Sequence, residues 1–312
     1  MKIKKEYILL GLLMASSIGY LVFQKTDRIH YALPSLAELK ADDITVIEII
    51  RDGKTSTLKK EGKVWLISPQ NWRADLTKVS EMLDTLARLK VTDLVSESGD
   101  YDRYQLDAKG KALLKAYAGK ELRLDLTVGK AAPTYNHTYI MLPGDERVYL
   151  ASGDLPRLFL VPVPEMRDMV VFAVSPPEIS RIEIERGEGK TVLTKSELAQ
   201  EAPKNVTSGE KTKLFIWKND KGTVVDKADI DSFLSALSKV YCGEYLDDAM
   251  RPLLKSPLMT VRLVGPGEHS LAVYQKEGDK IPALSSENAS PFVLPDYKFE
   301  DMEKSINKIL EK

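Results

Sequence analysis

The chain has 312 residues, 43% of them hydrophobic and 29% charged, with a formal net charge of -1 at pH 7. That length accommodates two ordinary domains with their own cores. The balanced charge gives no electrostatic case for nucleic acid as a partner, and the single cysteine, Cys242, rules out an internal disulfide and a cysteine-based metal site.

Met1 to Glu6 forms a basic flank, and Tyr7 to Phe23 then runs without a charged residue. A helix over that stretch is about 25 Å long, the short end of a membrane span. Tyr7 and Phe23 mark its ends, where Lys5 and Lys25 can snorkel to the headgroups. A cleaved signal peptide also fits the basic start, but no clear Ala-x-Ala site follows the apolar run. The retained anchor is the better reading. Lys2, Lys4 and Lys5 outweigh Lys25 and Arg28, which places the N-terminus in the cytoplasm and the chain from about Gln24 onward outside. The expectation is a single-pass bacterial inner-membrane protein, with residues 1–25 as flank and anchor. Residues 26–40 are read as a tether carrying a short helical stretch at Ser35–Lys40.

Ile44–Ile50, Ser56–Lys60 and Val64–Ser68 read as three short strands, separated by the turn signals Asp52-Gly53 and Glu61-Gly62. Trp65 falls on the third. Val79, Met82, Leu83, Leu86 and Leu89 then recur at helical spacing behind Asp75, a plausible N-cap. Val91–Glu97 reads as a strand, Asp100–Leu106 as a tyrosine-containing connection and Lys109–Tyr117 as a short helix. Leu122–Val128 alternates apolar and polar residues, as a half-buried strand does. Thr138–Leu142 and Arg147–Ala151 follow as strands around Pro143-Gly144-Asp145.

Leu155 to Pro177 carries five prolines and reads as a semi-rigid join, with a short helix or strand within Met166–Phe172. Beyond it the order begins again. Ile179–Glu185 repeats Ile44–Ile50, both with an Ile-Glu-Ile core and a glycine turn behind it. Lys190–Thr194 and Lys213–Lys218 repeat the next two strands, so that Trp217 stands where Trp65 stood, with a polar insertion at Glu197–Thr212 between them. A helix over Asp229–Val240 places Ile230, Phe233, Leu234, Leu237 and Val240 in step with the stripe of the first helix. Met259–Val264, Ser270–Tyr274 and Pro291–Leu294 complete the strands, and Asp301–Leu310 is a closing helix. The fold class is therefore α+β: two tandem related domains, 41–174 with a Pro-rich join at 155–177, and 178–312. Each is expected to be a mainly antiparallel sheet with a packed helix.

Gly187-Glu188-Gly189-Lys190-Thr191 looks like the end of a phosphate loop, but Ile184 stands where the motif needs its first glycine. Gly53-Lys54-Thr55 fails in the same way, and both read as hairpin turns. His30, His137 and His269 lack partners at metal-ligand spacing, and His269 reads as part of a solvated turn. Neither a cofactor nor a catalytic motif is indicated. The candidate ligand or partner surface is Tyr135, Asn136, His137 and Tyr139, the one local cluster of aromatic and hydrogen-bonding side chains.

The order of motifs resembles a bacterial family described as domain of unknown function 4340. The resemblance rests on Ile44–Ile49, Val64-Trp65-Leu66-Ile67-Ser68-Pro69, Asp75–Leu89, Tyr104-Gln105-Leu106-Asp107, Val128-Gly129-Lys130 and Val148-Tyr149-Leu150. It departs from the family pattern at Gln105, where the usual residue is glycine, and in the second copy, where no proline follows Trp217 in the family's spacing. The resemblance implies a membrane-anchored extracytoplasmic protein associated with ABC transporter components of the gliding-motility type, and it brings no catalytic residues. The expected function is that of a non-enzymatic periplasmic accessory or scaffold protein of such a transport complex. The alternative is an extracytoplasmic glycan- or peptide-binding module.

Overall fold

The computed structural model describes residues 14–18, 20, 32–197 and 215–310. Most of the Tyr7–Phe23 stretch, including both its ends, lies outside these residues, as do His30 and nearly all of the Glu197–Thr212 insertion. Residues 14–18 are helical. Among the described residues, no helix is long and apolar enough to cross a membrane.

The described part is built from strands β1 (Val46–Arg51), β2 (Lys54–Glu61), β3 (Val64–Ser68), β4 (Trp72–Arg73), β5 (Val91–Ser96), β6 (Ala112–Ala118), β7 (Glu121–Ala131), β8 (His137–Met141), β9 (Val148–Ser152) and β10 (Val170–Ala173). The chain continues through β11 (Arg181–Arg186), β12 (Gly189–Glu197), β13 (Phe215–Asn219), β14 (Val224–Val225), β15 (Lys239–Tyr241), β16 (Glu244–Tyr245), β17 (Met259–Val264), β18 (Glu268–Val273), β19 (Ile281–Ser285) and β20 (Phe292–Leu294). Besides the helical residues 14–18, the described α-helices are α1 (Leu76–Ala87), α2 (Leu155–Phe159), α3 (Lys227–Leu237) and α4 (Asp296–Leu310). Two large, antiparallel sheets with few helices make this a mainly antiparallel α+β protein.

The chain packs as two compact units. One takes the chain up to Lys60 with Val79–Val161, and the other takes Glu61–Lys78 with Pro162–Lys312. In the first unit the strands lie in the order β2-β1-β6-β7-β8-β9-β5. In the second, the order β14-β13-β12-β11-β17-β18-β19-β20-β16 contains the same sequence of strands from β12 to β16. The hairpin β3–β4, counterpart of β13–β14, belongs to the second unit.

Alternation explains the faces. Ile47 and Ile49 on β1 are buried with Glu48 between them on the opposite face, and Ile182 and Ile184 on β11 are buried with Glu183 between them. The Ile-Glu-Ile repeat thus turns two isoleucines inward and one carboxylate outward in each sheet. Both glycine turns are two-residue hairpin loops, closing Arg51 on Lys54 and Arg186 on Gly189. Asp52 and Gly53 both have positive φ, 52° and 72°, as a primed turn requires.

Helix α1 starts where Asp75 accepts hydrogen bonds from the Thr77 and Lys78 amides, at 2.8 and 3.3 Å, and it buries Val79, Met82 and Leu86. Helix α3 is capped by Asp226, buries Ile230, Phe233, Leu234 and Leu237, and packs against α4. It ends at Leu237 instead of running to Val240. The backbone of Val240 pairs with Phe172 on β10, and its side chain is fully buried there as part of a strand.

Two further expectations are corrected. Ser35–Lys40 is not helical, and a short 3-10 turn at Ala41–Asp43 follows it; six residues are too few to nucleate a helix without packing that imposes one. Lys109–Tyr117 is not a helix but β6, an inner strand between β1 and β7. Its Ala112, Leu114 and Ala116 are all fully buried, a period of two that tertiary pairing imposes on residues with good helix propensity. Ile281–Ser285, to which the sequence reading gave no element, is strand β19 between β18 and β20. The join is also more regular than its prolines suggest, with α2, a 3-10 turn at Val163–Met166 and β10, which pairs with β15.

Candidate functional site

The most unusual chemistry lies on the join, within the second unit. Residues 166–168 run beside 73–75: the Asp75 amide donates to the Met166 carbonyl at 2.9 Å, and the Asp168 amide to the Arg73 carbonyl at 2.8 Å. This pairing aims Arg167 inward, where it is only 4% exposed. Its guanidinium lies 3.9 Å from the ring centre of Trp72 and 3.4 Å from that of Tyr245. Nη2 donates to Ser290 Oγ at 3.0 Å. Among the described residues it forms no ion pair with a carboxylate. Burial pushes its pKa below the usual arginine range, against the opposing pull of Tyr245 and Asp248. Two aromatic faces therefore take the place of a counter-ion.

The surrounding groups are paired. Tyr245 donates to the Asp168 carbonyl at 2.5 Å and accepts from Asn288 Nδ2 at 2.9 Å, and Asn288 Oδ1 accepts from the Ser290 amide at 3.0 Å. Burial pushes the Tyr245 hydroxyl up to about 12 and the Cys242 thiol up to about 11. A thiol held protonated in this way is a packing residue, not a nucleophile. The cluster can fix three parts of the chain around one cation; no nucleophile stands beside a base in it.

The sequence-predicted residues Tyr135, Asn136, His137 and Tyr139 lie in the first unit, at the turn from β7 to β8. The Tyr135 amide donates to the Ala132 carbonyl at 2.8 Å, and the Asn136 carbonyl accepts from the Gly153 amide at 2.7 Å. Tyr135 has a φ of 56° and is 74% exposed. His137 and Tyr139 share one face of β8, but Tyr139 is already engaged: its ring lies 4.8 Å from that of Tyr104. Tyr139 packs in a small apolar cluster with Tyr104, Leu106 and Val148. His137 Nδ1 lies 3.3 Å from Thr134 Oγ1. Only Tyr135 and Asn136 of the four are exposed.

Sequence reasoning missed that the tyrosine-containing connection reaches this cluster. Its 3-10 turn, Tyr101–Tyr104, crosses β7 at Gly129, where a Cβ would stand 2.3 Å from the Tyr104 carbonyl oxygen. Gly129 is the sequence trace of that crossing. Beside it, Asp145 accepts from Arg147 Nη2 and from the Tyr149 hydroxyl, both at 2.8 Å. The Arg147 hydrogen bond is the main cause that holds the Asp145 carboxyl well below the usual carboxylate range.

His269 is not in a turn. It lies on β18, half-buried, with Nδ1 2.7 Å from Glu287 Oε1. Among the described residues no three metal-ligating side chains gather.

Two antiparallel sheets of one strand order, with one buried cation stacked between two rings, define the class of protein. The family model described as "Domain of unknown function (DUF4340)" matches residues 65–257, more than half of the chain, and the chain belongs to this family. No curated protein and no solved structure matches it.

Proposed function

We propose that this is a non-enzymatic, membrane-anchored protein of the bacterial periplasm, made of two copies of one unit, that acts through protein contacts as an accessory or scaffold of an ABC-type transport complex. The observation that carries this reading is how the strongest polar groups are used. Arg167 is stacked between rings, Asp145 is bound by Arg147 and Tyr149, Glu183 lies between Arg181 and Lys190, and His269 faces Glu287. Each is occupied by a neighbouring group, which favours units that present surfaces over a site that turns over substrate. The anchor is supported by the charge-free run Tyr7–Phe23 behind a basic flank. The transport association is supported by the family resemblance of the motifs.

Affinity purification of the full chain from cross-linked, detergent-solubilised membranes tests it. An ABC permease or its direct partner should be recovered in stoichiometric amount. Recovery of the chain alone counts against a scaffold. A second reading, a glycan- or peptide-binding module, is favoured by one observation, the exposed Tyr135 ring on a turn braced by backbone hydrogen bonds.

A further inference from the structure

Within the first unit, residues 33–39 pass over the end of α1 and the start of β7 as a strap. Leu39 is 6% exposed, and Arg123 Nη2 donates to the Glu38 carbonyl at 3.3 Å. Between strap and body lies an open groove of about 530 Å³, within the size range of small-ligand sites. Leu33 and Leu36 wall it on the strap side, and Leu86, Leu89 and Leu124 on the body side. Ser35, Glu38 and Lys90 supply a polar rim. A leucine-walled trough with a mixed polar lip has the amphipathic shape of a lipid: a chain inside and a headgroup at the mouth.

Position along the chain favours a membrane source. If Tyr7–Phe23 spans the bilayer, the ten positions from Phe23 to Leu33 reach at most about 36 Å. The groove is then tethered within reach of the membrane surface. We infer that this groove takes one acyl chain of a bilayer phospholipid, lifted part-way out of the membrane beside the anchor. The inference rests on the anchored reading proposed above. It adds a lipid site to a protein otherwise read as making protein contacts.

The test uses the full chain reconstituted in vesicles of phosphatidylethanolamine and phosphatidylglycerol, doped with phosphatidylglycerol that carries a photoactivatable diazirine near the end of one chain. Labelled residues are mapped by peptide mass spectrometry. Leu124 is 5% exposed, so label there cannot come from lipid brushing the surface. Labelling of Leu124 and Val91 is expected, falling at least fivefold in Ala87→Trp, which fills the groove from a half-buried position. The same fall is expected in Leu36→Asp, which charges the strap without touching the core of the body. Label at Tyr7–Phe23 should be unchanged in both variants. Label at Tyr7–Phe23 with none in the groove overturns the lipid site and leaves the anchor standing. Label in the groove with none at Tyr7–Phe23 keeps the site and overturns the anchor. No label at either place overturns both.

Discussion

Replacing Arg167 separates what its shape contributes from what its charge costs. In Arg167→Lys the cation stays, but the planar face between Trp72 and Tyr245 is lost. Two cation–π contacts of this kind are worth about 0.5–2 kcal/mol each, and a hydrogen bond from a charged group, here to Ser290, about 1.5–3 kcal/mol. An ammonium is more strongly hydrated than a guanidinium and bears burial worse. A lysine ammonium can still face one ring, so Arg167→Lys should lower stability by about 2 kcal/mol, from the second stacking face and the harsher desolvation. In Arg167→Met the volume stays and the buried charge goes, which removes a desolvation penalty of several kcal/mol. That variant should lose only about 1 kcal/mol, as apolar replacements of buried ions do. Urea unfolding followed by tryptophan fluorescence gives the ordering, read as a midpoint shift at unchanged slope. A Trp72→Ala and Arg167→Met cycle should add a coupling of about 1 kcal/mol, typical of residues in contact. If Lys is tolerated as well as Met, or the coupling is zero, the stacked-cation account is wrong.

Other predictions concern single positions. Gly129→Ala should cost about 1–3 kcal/mol or more by overpacking against Tyr104, while Gly243→Ala, with 3.7 Å of room, should shift the melting temperature little. Asp145 has a depressed folded pKa, so its contribution is present above the unfolded carboxylate pKa of about 3.9 and is lost as pH falls below it. Asp145→Asn should thus be less stable than wild type at neutral pH, and the gap in melting temperature should close progressively below about pH 4; a gap that does not change with pH refutes the assignment. Cys242, with its folded pKa raised to about 11, should resist a thiol reagent at about pH 8, near the free-thiol pKa, and react fully in urea. Rapid labelling of the folded protein contradicts its burial. Alanine at Tyr135, His137 and Tyr139 together should abolish any thermal shift that a screened glycan or peptide produces, and a shift that survives places the binding elsewhere.

Features set by near neighbours were legible in the sequence. The hairpins at Asp52-Gly53 and Gly187-Glu188, the Asp75 cap and the apolar stripe of α1 all stand where pattern and turn chemistry put them. What escaped is set by distant partners. Lys-Ala-Leu-Leu-Lys-Ala-Tyr suits a helix in isolation, and only its neighbours β1 and β7 make it β6. The internal repeat held the missing signal: its counterpart β17, Met259–Val264, reads as a strand from its own residues. For the candidate site, the aromatic cluster at Tyr135–Tyr139 and the Pro-rich join were visible as places of interest. That Arg167 would lie between Trp72 and Tyr245 was not, because neither ring is near it in sequence and no short motif encodes such a stack.

The second unit is not a continuous piece of chain. It borrows Glu61–Lys78, and with it Trp65 and Trp72, from between two segments of the first unit. A ribosome releases that hairpin long before it makes Tyr245 or Ser290, so during synthesis the loan stands unredeemed for well over a hundred residues of growing chain. Long-range closure of this kind is slow. Until Tyr245 and Ser290 are made, the Trp72 face of that hairpin has no second ring or hydroxyl with which to enclose Arg167. For the same reason a fragment that starts after Ser175 lacks both Arg167 and the Trp72 face on which it stacks. Its failure to fold would report on this discontinuity and not on the strength of the second sheet.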